Sequence, residues 1–496
     1  MTPVSIRLLP LLGLLACGAP KPTGGTNADT AGTGTGTGTG TNTETSATDS
    51  ADTATRTDSA DTAGTTTPPP DCDFYAAPEG GGEAADGSAE RPWGTLETMA
   101  AANELPATGG VVCLLPGHHG APRLRGLHPT APLTVRALDA HQATVSSLII
   151  EDSAALTLQG LVIDGVTEID PGLDERDTFL LQASEDVSPL TLLDLIVQSA
   201  DSSADWTWDG WWQRSRSGVD LRGPDATVLD CTIRNVHHAL SVRGDDALVQ
   251  GNTIDNFGGD GIRGLGSGST YAWNTVRDAY IDEYEVQHDD AFQAYELEGD
   301  LRISDVTIAH NRFLLFTDPL TDFVLEQGLV GTLMQGVIIT DGYADGWVVE
   351  NNLVVNSHPH GISLYGARNS RIQNNTVVAH PAFVASDGPW IRITDQEKTG
   401  QENFDNIVRN NLTAMLTPWD YDDSSIIEAN LEVTEPDSVY ADVAGLDFHL
   451  LPGTDAIDGG IDEALAESDL DGAARRVGAA VDLGAFERQE EPSPAP

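Results

Sequence analysis

The feature that most restricts what this chain can fold into is a repeat of about two dozen residues. The segments "LDCTIRN", "QGNTIDN" and "AWNTVRD" place Thr232, Thr253 and Thr275 at steps of 21 and 22 residues. Later copies are "AHNRFLL", "ENNLVVN", "QNNTVVA" and "RNNLTAM", with a step of 23 between Asn352 and Asn375. A second series follows each of these after a short turn: "SGVDLRG", "HALSVRG", "DGIRGLG", "DDAFQAY", "QGVIITD", "HGISLYG" and "PWIRITD". Its bend residues are Gly218, Ala239, Gly261, Ala291, Gly336, Gly361 and, exceptionally, Trp390. A fixed period with two or three short alternating strands per unit describes a solenoid in which each unit is one coil. Asn and Gly between the strands favour tight, left-handed turns. No helical periodicity intervenes to make ordinary crossover units.

These repeats resemble the right-handed parallel β-helices of the pectate-lyase-like superfamily. The expected fold is therefore all-β: a right-handed, single-stranded parallel β-helix over residues 71–487, caps included. "DFYAAPEGGGEAADGSAERPWGTLETMAAA" with "GGVVCLLPG" resembles the entry segment of such proteins, a first strand and a short amphipathic helix covering the open end. "LDFHLLPGTDAIDGG" through "LDGAARRVGAAVDLGAFE" resembles their closing segment. Terminal coils need covering because they expose unpaired strand edges and apolar core.

The N-terminal "MTPVSIRLLPLLGLLACG" has one basic residue and an apolar run too short to span a bilayer stably. It resembles a bacterial lipoprotein signal, residues 1–16, which implies a lipid-anchored Cys17. An ordinary signal peptide with a chance cysteine is the alternative. Residues 17–70 are rich in Thr, Gly and Asp and nearly free of large apolar side chains, so a disordered tether is expected. A disordered tail is expected over 488–496. The resulting picture is an anchored protein of the bacterial cell envelope, at the outer membrane or cell surface, and a monomer. A net charge of −52 disfavours nucleic acid as a partner. Export permits disulfides, and Cys72 and Cys113 flank the first two strands, so a bridge between them is expected. Cys231 reads as a buried small hydrophobe.

Alternation along "x-G-[VILF]-x-[LVIA]-x" points the third and fifth positions inward and the first, fourth and sixth outward. The inward column is Val219, Leu240, Ile262, Phe292, Val337, Ile362 and Ile391. The outward columns place His238, Asp260, Arg263, Asp290, Gln293, Tyr295, His360, Tyr365 and Arg392 on successive rungs of one exposed sheet. An inserted loop, "YEVQHD", delivers His288 and Asp289 to its edge. Long insertions on one side of a solenoid commonly wall a groove. Upstream, Trp206, Trp208, Trp211 and Trp212 offer flat faces suited to sugar rings, or else plug their own loop.

The resemblance implies a polysaccharide partner. Eliminative cleavage of a uronic-acid-containing glycan needs charge neutralisation, a base and an acid. Asp260, Asp289 and Asp290 are candidate Ca²⁺ ligands, with Arg263 or Arg392 assisting. His288 or His238 would act as base, and Tyr295 or Tyr365 as acid. The usual catalytic lysine of the calcium-dependent lyases has no counterpart on the strip, Lys398 falling in a loop after it. Two further readings stay open: a glycoside hydrolase using Asp260 and Asp290, and a non-catalytic, adhesin-like glycan binder.

Overall fold

The computed structural model describes residues 72–165, 178–280, 289–296, 302–317, 334–382, 388–418 and 424–489. The chain divides into two units, Met1–Thr66 and Thr67–Pro496, and all described residues belong to the second. The signal segment, Cys17, the tether and His288 lie outside the described residues, as does most of the inserted sequence between the strip's rungs. Arg488 and Gln489, assigned to the tail, are described. Arg488 is held to the body through its amide, which donates to Asp482 Oδ2 at 2.7 Å.

Among the described residues, three parallel sheets of 13, 11 and 12 strands stack rung upon rung. The protein is an all-β right-handed parallel β-helix, as the repeat predicts. The inward column is a continuous apolar stack, every member at most 1 % exposed. Each such side chain contributes roughly 1.5–3 kcal/mol of burial. The pairings Val219 with Leu240, Leu240 with Ile262, Ile262 with Phe292, Phe292 with Val337, Val337 with Ile362 and Ile362 with Ile391 reproduce the register read from the repeat. At the bend preceding this column the backbones approach closely. A Cβ at Gly336 would meet the Gly361 carbonyl oxygen at 2.0 Å, which only glycine avoids.

The "NN" and "GN" copies have a physical cause. Asn252, Asn274, Asn311, Asn352, Asn375, Asn411 and Asn430 form an internal ladder. Each Oδ1 from Asn274 onward accepts both the backbone and the side-chain N–H of the preceding asparagine, at 2.9–3.1 Å. The residue before each ladder asparagine has positive φ, from 49° at Ala429 to 71° at Gly251. Trp273 and His310 adopt this conformation without the usual Asn or Gly; their rings stack at 4.2 Å on adjacent rungs.

The entry segment forms as expected. The strand Phe74–Ala76 pairs with Gly110–Leu114, Cys72 is bridged to Cys113, and the helix Leu96–Ala102 buries Leu96 and Met99. Thr95 caps that helix by accepting the Thr98 amide at 3.1 Å. Cys231 is buried and free, and burial pushes its thiol up to about 12. The closing segment does more than cover an end. After the hairpin of Tyr440–Asp442 and Asp447–Leu450 it runs back along the 12-stranded sheet. It bonds rungs from His310, through the Ser468 carbonyl, to Asn410, whose Nδ2 donates to the Ile461 carbonyl.

Two expectations change. Trp206 and Trp211 are 1 % and 4 % exposed and belong to the hydrophobic core. They meet edge to face at 4.9 Å, and Trp211 stacks on Tyr280 at 4.8 Å. Rings so enclosed are closed to a saccharide; the tryptophans fasten the short helix Trp208–Arg214 to the coil. Trp208 is half-buried against the same core, and the Trp212 side chain lies outside what is described. The second change is burial of the polar strip: His238, Asp260 and Asp290 point away from the core yet are 8 %, 2 % and 1 % exposed. Rungs about 4.8 Å apart let neighbouring side chains shield one another.

Candidate active site

The 11-stranded sheet carries the strip, and the expected columns are in register. Asp290 pairs with Gln335, Arg263 with Gln293, Gln293 with Ile338, and Ser363 with Arg392. Two shifts break the pattern. Tyr295 lies opposite Asp341 after an irregularity at Ala294, and Trp390 pairs with His360, which puts Trp390 in the outward first column.

A cavity of about 430 Å³ opens over the strands Asp290–Tyr295, Gln335–Asp341 and His360–Tyr365, beside the turn that follows Trp390–Thr394. Asp290, Gln293, His360 and Tyr365 line it, four of the residues singled out from the sequence. Gln335, Ile338, Thr340, Asp341 and His358 add to the wall, and Gln396, Glu397 and Lys398 complete it. The last three are brought in by the turn after Trp390–Thr394, where Gln396 Nε2 donates to the carbonyls of Thr340 and Gly342. Lys398 thereby reaches Asp341, to which its ammonium is bonded. Lys398 does lie in a turn after the strip, as the sequence indicates, but the fold-back of that turn brings its ammonium to the cavity wall.

At the cavity wall, Asp290 Oδ2 accepts the Gln293 side-chain amide at 2.6 Å. Burial first, then the neighbouring carboxylates of Asp260 and Asp289, hold Asp290 well above the usual carboxylate range, against the pull of Gln293 and Arg263. Asp290 Oδ1 and, on the next rung, Gln335 Oε1 are buried acceptors without a hydrogen-bond partner among the described residues. Leaving such a group unpaired costs about 1–3 kcal/mol, which at Asp290 favours the protonated carboxyl. His360 is oriented by Ser363, whose Oγ lies 2.8 Å from Nδ1 and also accepts Trp390 Nε1–H at 3.0 Å. His358 stacks on His360 at 5.1 Å. Burial raises the Tyr365 phenol, opposed by Arg392, whose guanidinium sits 5.4 Å above the ring.

Asp260, Arg263 and His238 form a buried support and do not line the cavity. Arg263 Nε donates to Asp260 Oδ2 at 2.6 Å, and the Asp290 amide donates to Asp260 Oδ1 at 3.0 Å. The Asp260 amide donates to His238 Nδ1 at 3.0 Å. Hydrogen-bonded on both oxygens and set outside the cavity lining, Asp260 is placed as a support for Asp290. A divalent cation here would compete with Arg263 for Asp260. Among the described residues no group of three His, Cys, Asp or Glu side chains is arranged to hold a metal ion. Asp289 is buried beside Asp290. Tyr295 turns toward Arg243.

The family described as right handed beta helix region matches residues 217–411. No curated protein matches the chain. Pectate lyase Pel9A is similar at 15 % identity and TM-score 0.41, covering 84 % of this chain and 96 % of its own. The mannuronan C-5 epimerase AlgE6 A-module of Azotobacter vinelandii has 10 % identity and TM-score 0.38, with 68 % and 92 % covered. The GH136 lacto-N-biosidase of Eubacterium ramulus has 13 % identity and TM-score 0.38, with 72 % and 67 % covered.

Proposed function

We propose that the cavity cleaves an extracellular polysaccharide by acid–base chemistry, and that eliminative cleavage of a uronic-acid-containing glycan is the reaction its groups fit. The observation that carries this reading is Asp290: a buried carboxyl at the cavity wall, disposed to hold a proton, fixed on one oxygen by Gln293 and unpartnered on the other. A carboxylic acid kept neutral in this way is a proton donor. His360 removes the proton from the carbon next to the sugar carboxylate. That electron pair forms the new carbon–carbon double bond as the glycosidic bond to oxygen breaks, and Asp290 protonates the departing oxygen. Lys398 offers the sugar carboxylate the ammonium N–H donors that it does not give to Asp341. Gln335 accepts a hydroxyl of the bound sugar.

Anchoring at the bacterial envelope through Cys17 would place this activity outside the cell. The test incubates the purified protein with polygalacturonate, alginate and hyaluronate, with Ca²⁺ and with chelator, following ultraviolet absorbance of unsaturated ends. The expected result is a signal on one of them, lost in Asp290→Asn. Absence of signal on all three, with binding intact, would favour the non-catalytic glycan binder. New reducing ends without absorbance would favour a hydrolase, and a signal abolished by chelator would restore the calcium reading.

A further inference from the structure

Outside the cavity, the same sheet carries a second arrangement of charge. Asp220, on the strand Ser217–Leu221, is fully buried. Its Oδ2 accepts Arg222 Nε at 2.7 Å and its Oδ1 accepts Arg243 Nε at 2.8 Å. The guanidiniums remain 47 % and 37 % exposed. A structural ion pair needs one arginine for one carboxylate. Here one carboxylate fixes two, leaving a positive charge in surplus on a chain of net charge −52. Both arginines bond Asp220 through Nε, and the Nη groups of Arg222 have no bond among the described residues. Fixed, planar N–H donors of this kind match the geometry of a carboxylate.

The pair is tied to the cavity. Tyr295 lies against the Arg243 guanidinium, and Tyr295 ends the strand that begins with Asp290. In the sheet, Ser217–Leu221, Leu240–Val242, Ile262–Gly264 and Asp290–Tyr295 are consecutive neighbours. At a spacing of about 4.8 Å per rung, the strand leading into Arg243 stands about 10 Å, and that leading into Arg222 about 14 Å, along the solenoid axis from the strand of Asp290.

We infer that Arg222 and Arg243, held by Asp220, form a carboxylate-binding subsite for an acidic sugar two to three rungs from the cleaved bond. The inference rests on the assignment of the cavity as a saccharide site. It adds that the chain runs along the solenoid axis and is read as a polyanion, by at least two charged sugars at once.

The test uses the full protein and calorimetric titration with oligogalacturonate, alginate oligosaccharide and neutral dextran at two salt concentrations. The proteins are wild type, Asp290→Asn, Arg222→Gln/Arg243→Gln and Arg222→Lys/Arg243→Lys. Asp290→Asn removes the cleavage acid and provides a background in which affinity for an acidic oligosaccharide is read without turnover. The double glutamine variant should bind it about 10- to 100-fold more weakly, with a shallower salt dependence, and the double lysine variant should recover part of the loss. The single Arg222→Gln variant keeps Arg243 on Asp220 and covers the case in which the double variant fails to fold; about a tenfold loss is expected from it. Unchanged affinity in a folded glutamine variant overturns the inference, as does failure of wild type to bind either acidic chain. Arginine-dependent binding without cleavage supports the subsite while removing the cleavage reading. Asp290-dependent cleavage of a neutral chain alone does the reverse.

Discussion

The backbone amide of Asp290 donates to Oδ1 of Asp260 at 3.0 Å, across adjacent rungs separated by 30 residues of sequence. Two aspartates of one column thus have different work. Asp260, neutralised by Arg263, holds the backbone of the next rung, while Asp290 presents its carboxyl to the cavity.

Replacing Asp290 by Asn should lower turnover about 100-fold or more, the usual worth of a positioned general acid, with little change in substrate affinity. Wild-type activity should fall as pH rises through the raised pKa of Asp290. Stability follows the same sign. The native state holds the proton more tightly than the unfolded chain, so this group's contribution is complete below the unfolded value of 3.8 and is lost as pH rises through the native one. A series of Tm values against pH should therefore slope less steeply in Asp290→Asn than in wild type.

Asp260→Ala removes one partner of a buried ion pair and the acceptor of the Asp290 amide. A loss of about 3–5 kcal/mol is expected, measured by urea denaturation. Asp260→Asn keeps an acceptor and should lose less. If Asp260 were instead a nucleophile, Asp260→Asn would be as inactive as Asp290→Asn while folding normally.

His449 clasps the closing segment: Nδ1 lies 2.5 Å from Asp447 and Nε2 2.6 Å from Asp471, which also takes Arg312 of the coil at 2.8 Å. The Asp471 hydrogen bond foremost, then that of Asp447, raise the imidazole to about 9 despite partial burial. A raised basic group stabilises fully below its unfolded value of 6.5, and the contribution is lost as pH rises through about 9. His449→Gln should lower Tm at pH 6 and converge with wild type near pH 10, read by scanning calorimetry.

Asn352→Ala breaks one step of the ladder, leaving the amide and side-chain N–H of Asn311 without their shared acceptor. With one buried donor unsatisfied costing about 1–3 kcal/mol, a stability loss of at least that size is expected in denaturant titration. The loss should be accompanied by faster amide exchange at the neighbouring rungs.

What the sequence alone determined is the part of this protein governed by short-range rules. A period of two sets which side chains face inward, and a step near 22 residues sets which rungs stack. The apolar column from Val219 to Ile391 and the outward columns through Asp290, Gln293 and His360 follow from those two periods. The asparagine ladder was legible only as a recurring turn residue, since its bonds run between coils. Three things were decided by tertiary structure. Lys398 meets Asp341, 57 residues away, because an aperiodic turn folds back over the sheet through Gln396. Trp206 and Trp211 enter the core because the helix Trp208–Arg214 and the turn before it pack inward, a choice aromatic composition does not make. Asp260 and Asp290, equivalent in the repeat, differ because Arg263 and Gln293 engage them differently and because stacked rungs exclude water from both. Burial and long-range contact depend on where the whole chain lands, and no local pattern carries that information.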